Sequence, residues 1–99
     1  MIHVLAIITA KPDQRNAMLE ALKANVPAVH AEAGCIEYSA AIDVGGAEPA
    51  FGPDTFVVIE KWESMAALKA HASSSHMAAY IAKTKGMLAS RAVHVLDPA

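Results

Sequence analysis

Glutamate, tryptophan and two histidines fall within one short stretch of an otherwise apolar, alanine-rich chain. They are Glu60, Trp62, His71 and His76, in FVVIEKWESMAALKAHASSSHM at 56–77. Strand alternation puts Phe56, Val58, Glu60 and Trp62 on one face. In a cleft, Trp62 would be a flat apolar wall and Glu60 a polar anchor, the usual make-up of a small-molecule pocket. At a strand end open to water, the same two residues would be only a core edge and a solvated acid. The histidines fall at opposite helix ends. His71 sits near the C-terminus of one helix, whose dipole favours imidazolium, and His76 in the first turn of the next, which favours neutral imidazole. A neutral imidazole can act as a base and a charged one can steady an anion. As partly exposed caps, the two would do neither.

Other candidates are weaker. Tyr38 shares parity with Ile36, Ala40 and Ile42, which makes it core or a pocket residue with its hydroxyl at an edge. Tyr80 follows His76 by one helical turn, so both can face one cavity. The spacing of His71 and His76 across a helix break is not that of a metalloprotease helix. No cysteine or carboxylate cluster accompanies them in the sequence, so no metal site is expected. Cys35 reads as an inert thiol, and His3, His30 and His94 as structural. Ser73–Ser75 lack the frame of a nucleophile elbow, and there is neither a phosphate-binding glycine loop nor a dinucleotide fingerprint.

The elements that must position these residues follow from the pattern. Ile2–Thr9 is an apolar, β-branched run, hence a buried strand. Pro12 suits the first turn of a helix whose apolar face carries Ala17, Met18, Ala21, Leu22 and Val26. Pro27 should kink or end it, with at most another turn to Ala31, and Gly34 is a stop signal. Strands are expected over Cys35–Val44, Thr55–Trp62 and Ala89–Leu96. The glycine- and proline-rich segment 45–54 is a loop, long enough for a lid or an arm. Ser64 should cap a helix to about His71, and the serines at 73–75 another ending at Gly86. The order β-α-β-β-α-β, with its second helical region broken in two, is the split β-α-β, ferredoxin-like pattern of an α+β domain spanning 1–99.

Such a sheet has helices on one face only. Yet both faces of the first strand are apolar, and Val57 and Ile59 repeat this on the third. The chain has no third layer, so a second copy should cover the open face, giving a homodimeric α/β barrel. With 55% hydrophobic and 18% charged residues over 99 positions the chain is a single globular domain. Its net charge of −2 gives no electrostatic case for nucleic acid or a membrane surface. One cysteine suits a reducing compartment. Neither a signal peptide nor a membrane-length apolar run is legible, so the expected location is cytoplasmic.

EAGCIEY at 32–38, EKWESMAALKAH at 60–71 and SSSHM at 73–77 resemble the antibiotic biosynthesis monooxygenase domain family, in particular its quinol monooxygenase-like branch. The likeness spans essentially the whole chain. It implies a small dimeric α/β barrel that oxygenates phenolic, quinol or polycyclic aromatic compounds without metal, flavin or haem, the substrate itself supplying the electrons. The matching positions are Trp62, His71 and His76, with Tyr38 and Glu60 beside them. Haem-degrading relatives need an asparagine in the first strand, which IHVLAIIT lacks, and a histidine near the position of Tyr80. The expected function is therefore cofactor-independent monooxygenation of a small aromatic or quinol. His71 and His76 are the catalytic candidates; Trp62, Tyr38, Glu60 and Tyr80 would bind substrate. Two other readings stay open: a non-catalytic small-molecule-binding or stress-associated dimer, and an isomerase using the same histidines.

Overall fold

In the computed structural model, which describes residues 1–99, four strands form one antiparallel sheet: β1 (Ile2–Ala10), β2 (Cys35–Ala41), β3 (Thr55–Trp62) and β4 (Leu88–Leu96), in the order β2-β3-β1-β4. Helices α1 (Arg15–His30), α2 (Met65–Ala72) and α3 (Ser75–Thr84) complete the α+β fold, with a 3₁₀ turn at Lys85–Met87 leading into β4. The connectivity is the expected split β-α-β pattern. No helix is long and apolar enough to cross a membrane.

Alternation does what the sequence requires of it. Ile2, Val4, Ala6, Ile8 and Ala10 of β1 and Phe56, Val58, Glu60 and Trp62 of β3 are buried on the helix side. Met18, Leu22 and Val29 of α1 pack into the same core. On the opposite face Ile7, Val57 and Ile59 are only half-buried, and Leu5 is exposed. The loop after β2 folds onto that opposite face. Asp43 accepts from the backbone N–H groups of Phe51 (Oδ1, 3.1 Å) and Gly52 (Oδ2, 2.9 Å). Phe51 thereby lines a shallow hollow with Leu5, Ile42, Val57 and Ile59. The loop is thus an arm on the second face and not a lid over the helix side.

Two local expectations change, at Pro12 and in β2. Pro12 lies in the turn before α1, which starts at Arg15, behind a Gln14 that makes no side-chain cap. At Pro27 the further turn forms: α1 runs on to His30, with Ala31 as its C-cap. The proline leaves only the Lys23 carbonyl without its helical donor, and both residues are exposed, so water can satisfy it. Strand β2 carries a bulge. Cys35 pairs with Trp62 and Glu37 with Lys61, so Ile36 is the extra residue. Tyr38 therefore shares the helix-side face with Cys35, not with Ile36, which is half exposed.

The serine caps form as read. Ser64 Oγ accepts from Ala67 N (3.1 Å) and Ser74 Oγ from Met77 N (3.4 Å), so each fixes the start of a histidine-bearing helix. Gly34 has φ +83°, and a Cβ there would stand 2.6 Å from Ala67 Cβ on α2. Only glycine meets both conditions. Gly34 O also accepts from Glu63 N (2.9 Å), which ties the α1–β2 turn to the start of α2.

Candidate active site

His71 is the centre of the site. It occupies the last turn of α2, buried between the sheet and the α1–β2 turn. Its ring lies 4.6 Å from the Trp62 ring, tilted by 35°, and 5.4 Å from Tyr38. Its two nitrogens face different carboxylates. Nδ1 is 2.7 Å from Glu32 Oε2, while Nε2 is 4.0 Å from Glu60 Oε1. The same Glu60 oxygen accepts from Trp62 Nε1 at 3.0 Å.

Glu32 was not among the candidates read from sequence. It stands in the turn after α1, and pairing with His71 required the fold to bring that turn under α2. Its Oε2 is also 3.2 Å from His76 Nε2, so one carboxylate oxygen joins both histidines. The helix-end argument that separates His71 from His76 is thus incomplete, since an anion sits between them. The three side chains offer donor atoms within 4.8 Å of one another, a set a divalent ion could use. Here the set is closed by its own hydrogen bonds.

An apolar cavity of about 290 Å³ lies between the sheet and α2 and α3. Tyr38, Glu60, His71 and Tyr80 contribute its polar atoms, among Val4, Val58, Leu68 and other apolar residues. Two of the six predicted residues do not line it. Trp62 is fully buried behind His71, acting as a platform and a donor to Glu60 rather than as a cavity wall. Strand parity assigned its face correctly but gives no depth. His76 lies to one side, in a separate shallow groove with Asn25, Tyr80 and Lys83. Arg91 of β4 does line the cavity, where it is the only arginine and no lysine accompanies it. Reading β4 as a plain last strand passed over it, although β4 alternation places Arg91 with Val93 on the helix side.

Electrostatics report the cavity's low polarity. Burial raises the pKa of both phenols, Tyr38 and Tyr80; for Tyr38 the Glu60 charge raises it further. Both stay protonated donors at neutral pH. Burial likewise raises the Glu60 carboxyl above the usual carboxylate value, opposed by the Trp62 hydrogen bond and by His71, while Glu32 pushes the same way as burial. Cys35 is raised by burial first and by Glu32 and Glu60 next, which fits an unreactive thiol. His30 binds the Tyr38 carbonyl through Nε2 at 3.1 Å and so pins the end of α1 to β2 beside the site.

An imidazole held by a carboxylate on one nitrogen, with the other facing Glu60 at the wall of an apolar cavity, has the geometry to act as a base. The family model for antibiotic biosynthesis monooxygenase matches residues 1–83. The protein named probable quinol monooxygenase YgiN, from Escherichia coli strain K12, is 37% identical over 102 residues, covering 99% of this chain and 98% of the relative. Among solved structures, PA3566 from Pseudomonas aeruginosa superposes with a TM-score of 0.85 at 28% identity, covering 99% of this chain and 93% of that one. Rv0793 from Mycobacterium tuberculosis gives 0.83 at 30% identity, covering 99% and 94%. The shared fold and the full-length likeness agree: the chain belongs to the antibiotic biosynthesis monooxygenase family.

Proposed function

We propose that the protein is a cofactor-independent monooxygenase of a small phenolic or quinol substrate, working as a homodimer. The observation that carries the reading is buried His71 at the wall of the apolar cavity, held from behind by the partly buried Glu32. The name of the E. coli relative supports the substrate class.

The chemistry follows from the site. Burial raises the Tyr38 and Tyr80 phenols, and the same desolvation acts on a bound phenol, so its proton needs a strong, fixed acceptor. His71 Nε2 takes it. The anion left behind is electron-rich and reduces dioxygen, and the two recombine into a carbon–oxygen bond with a peroxide. The same imidazolium protonates the peroxide; loss of the C–H proton from the oxygenated carbon then cleaves the O–O bond, leaves a carbonyl there and releases water, the departing hydroxide taking up that proton. A hydroquinone plus dioxygen thus gives a hydroxyquinone plus water, with all the electrons drawn from the substrate. Arg91 and the imidazolium supply positive charge to the developing anions, and Tyr38 a neutral donor. Trp62 serves by holding Glu60 and the His71 ring.

The dimer reading rests on the second sheet face. Leu5, Ile42 and Phe51 are exposed there beside half-buried Val57 and Ile59. A second copy packed face to face would bury them. Ile59→Asp should then convert a dimer into a monomer by light scattering; a wild-type monomer at micromolar concentration would refute the assembly.

The activity test is oxygen uptake with 1,4-dihydroxynaphthalene, anthrone and a flavonol, before and after chelator treatment. Uptake that survives chelation, and that falls by ~10²–10⁴-fold in His71→Ala with the fold intact, supports the mechanism. Proton exchange into a substrate without oxygen uptake would select the isomerase reading. Tight binding with neither would select the binding module.

A further inference from the structure

Ser74 gives the key to the second histidine. Its hydroxyl donates to the His71 carbonyl at 2.7 Å, which uses its only hydrogen. Towards His76 Nε2, 3.2 Å away, Ser74 Oγ can only accept. His76 Nε2 therefore carries a proton. That N–H faces Ser74 Oγ and Glu32 Oε2 together, and the carboxylate is itself an acceptor. By the same logic the contact between His71 Nδ1 and Glu32 Oε2 requires the proton on Nδ1. Two N–H groups thus converge on one carboxylate oxygen. In neutral His71 the free lone pair is then on Nε2, the nitrogen on the Glu60 side of the ring.

We propose that Glu32 is the positioning residue that makes His71 a directional base, and that His76 acts on Glu32 and not on substrate. The inference rests on the reading of His71 as the base. It reassigns His76, which the sequence alone offers as a catalytic candidate. Side-chain exposure rises from 5% at His71 to 14% at Glu32 and 27% at His76, so the chain of contacts runs outward, away from the cavity. His76 does not line that cavity. The Glu32 carboxylate fixes the tautomer and stabilises the imidazolium once formed, while His76, steadied by Ser74, keeps the carboxylate from turning away. Trp62 behind the ring and Tyr38 beside it prevent the imidazole from rotating to offer the wrong nitrogen. The charged and titratable groups around His71 are Glu32 from the α1–β2 turn, Glu60 from β3, Tyr38 and Cys35 from β2, and His76 and Tyr80 from α3.

The test pairs a spectroscopic readout with kinetics. Two-dimensional ¹⁵N–¹H NMR of labelled protein reads the tautomer of each histidine without any substrate. The wild type should show His71 as the Nδ1–H form and His76 as the Nε2–H form. Glu32→Ala, with Glu32→Gln as the isosteric second variant, should abolish the Nδ1–H preference of His71. Oxygen uptake with 1,4-dihydroxynaphthalene should fall about a hundredfold or more in kcat for Glu32→Gln, with little change in KM, as expected when a base loses its orienting carboxylate. His76→Ala should lower kcat by about tenfold, the lower end for a group supporting a ligand from behind. His76→Gln, whose amide N–H can replace the imidazole donor, should restore most of it. An Nε2–H tautomer at His71 in the wild type overturns the proposal whether or not the probe is turned over. So does a His76→Ala enzyme as impaired as His71→Ala, with raised KM and no rescue by glutamine, because His76 would then touch substrate. If no probe is oxidised while the tautomers are as expected, the positioning stands and the oxygenase reading fails.

Discussion

The two ends of the helix-side sheet face are built to different standards. At the β2–β3 end, Trp62 and Phe56 are wholly inaccessible, and Glu60 and His71 are buried with them. At the β4 edge, Val93 and Val95 point to the same side of the same sheet yet remain 51% and 47% exposed. Helix α1 and the turn after it close the first end, whereas α3 reaches the cavity but leaves β4 largely uncovered. Fixed polar geometry therefore sits where one chain supplies both layers. The apolar half of the cavity, with Arg91, opens where the chain supplies only one. A base must be held to within tenths of an ångström and degrees of rotation; a substrate's way in has no such need.

The contrast can be broken at the closed end, and the largest effect is expected at Gly34. An alanine there would adopt a left-handed backbone and drive its Cβ toward Ala67. Gly34→Ala should lose roughly 2–5 kcal/mol, summing the backbone and overpacking penalties. Urea denaturation measures it, and a midpoint unchanged from wild type would show that α2 is free to move. Trp62→Phe comes next. It removes the indole donor to buried Glu60 and should lower stability by roughly 1–3 kcal/mol, while weakening turnover more than substrate binding. A variant as stable and as active as the parent would mean the Trp62–Glu60 bond supports nothing.

The open end should be forgiving. Val93→Ala in a lone subunit removes two half-exposed methyl groups and should cost below about 1 kcal/mol, less than the same change at a buried position. Comparing it with Val58→Ala, buried on the same face, sharpens the contrast. If Val93→Ala proves the costlier of the two, and its cost grows with protein concentration, then β4 is covered by a second subunit and the asymmetry belongs to the isolated chain.

Much of this was legible in the sequence, for identifiable reasons. Thr55–Trp62 follows strand alternation and ends where Ser64 caps α2, both local signals. Ser74 likewise marks the start of α3 from its own side-chain chemistry. Glu32 was not legible, because its importance comes from a contact with residues far along the chain and its own neighbourhood is an ordinary turn. Helix-end reasoning about His71 and His76 used the nearest dipoles and so passed over the carboxylate between them. The face of Trp62 followed from parity, but whether an indole forms a cavity wall or lies behind one depends on the layer above it. Arg91 was overlooked because an edge strand reads as architecture.

The bulge at Ile36 buffers the site against a change in chain length that no side-chain comparison reveals. Between Cys35 and Tyr38 the strand holds one residue more than its partner, and the bulge absorbs that surplus, so Tyr38 returns to the face of Cys35 although three positions separate them. Deleting Ile36 would remove no atom of the cavity wall. The shorter strand would pair as a regular ladder, with Cys35 opposite Trp62, Glu37 opposite Lys61 and Tyr38 opposite Glu60. Ironing the bulge flat with Ile36 still present would instead turn either Cys35 or Tyr38 to the other face. Two homologues that differ only by this one residue would thus present the same phenol to the same histidine.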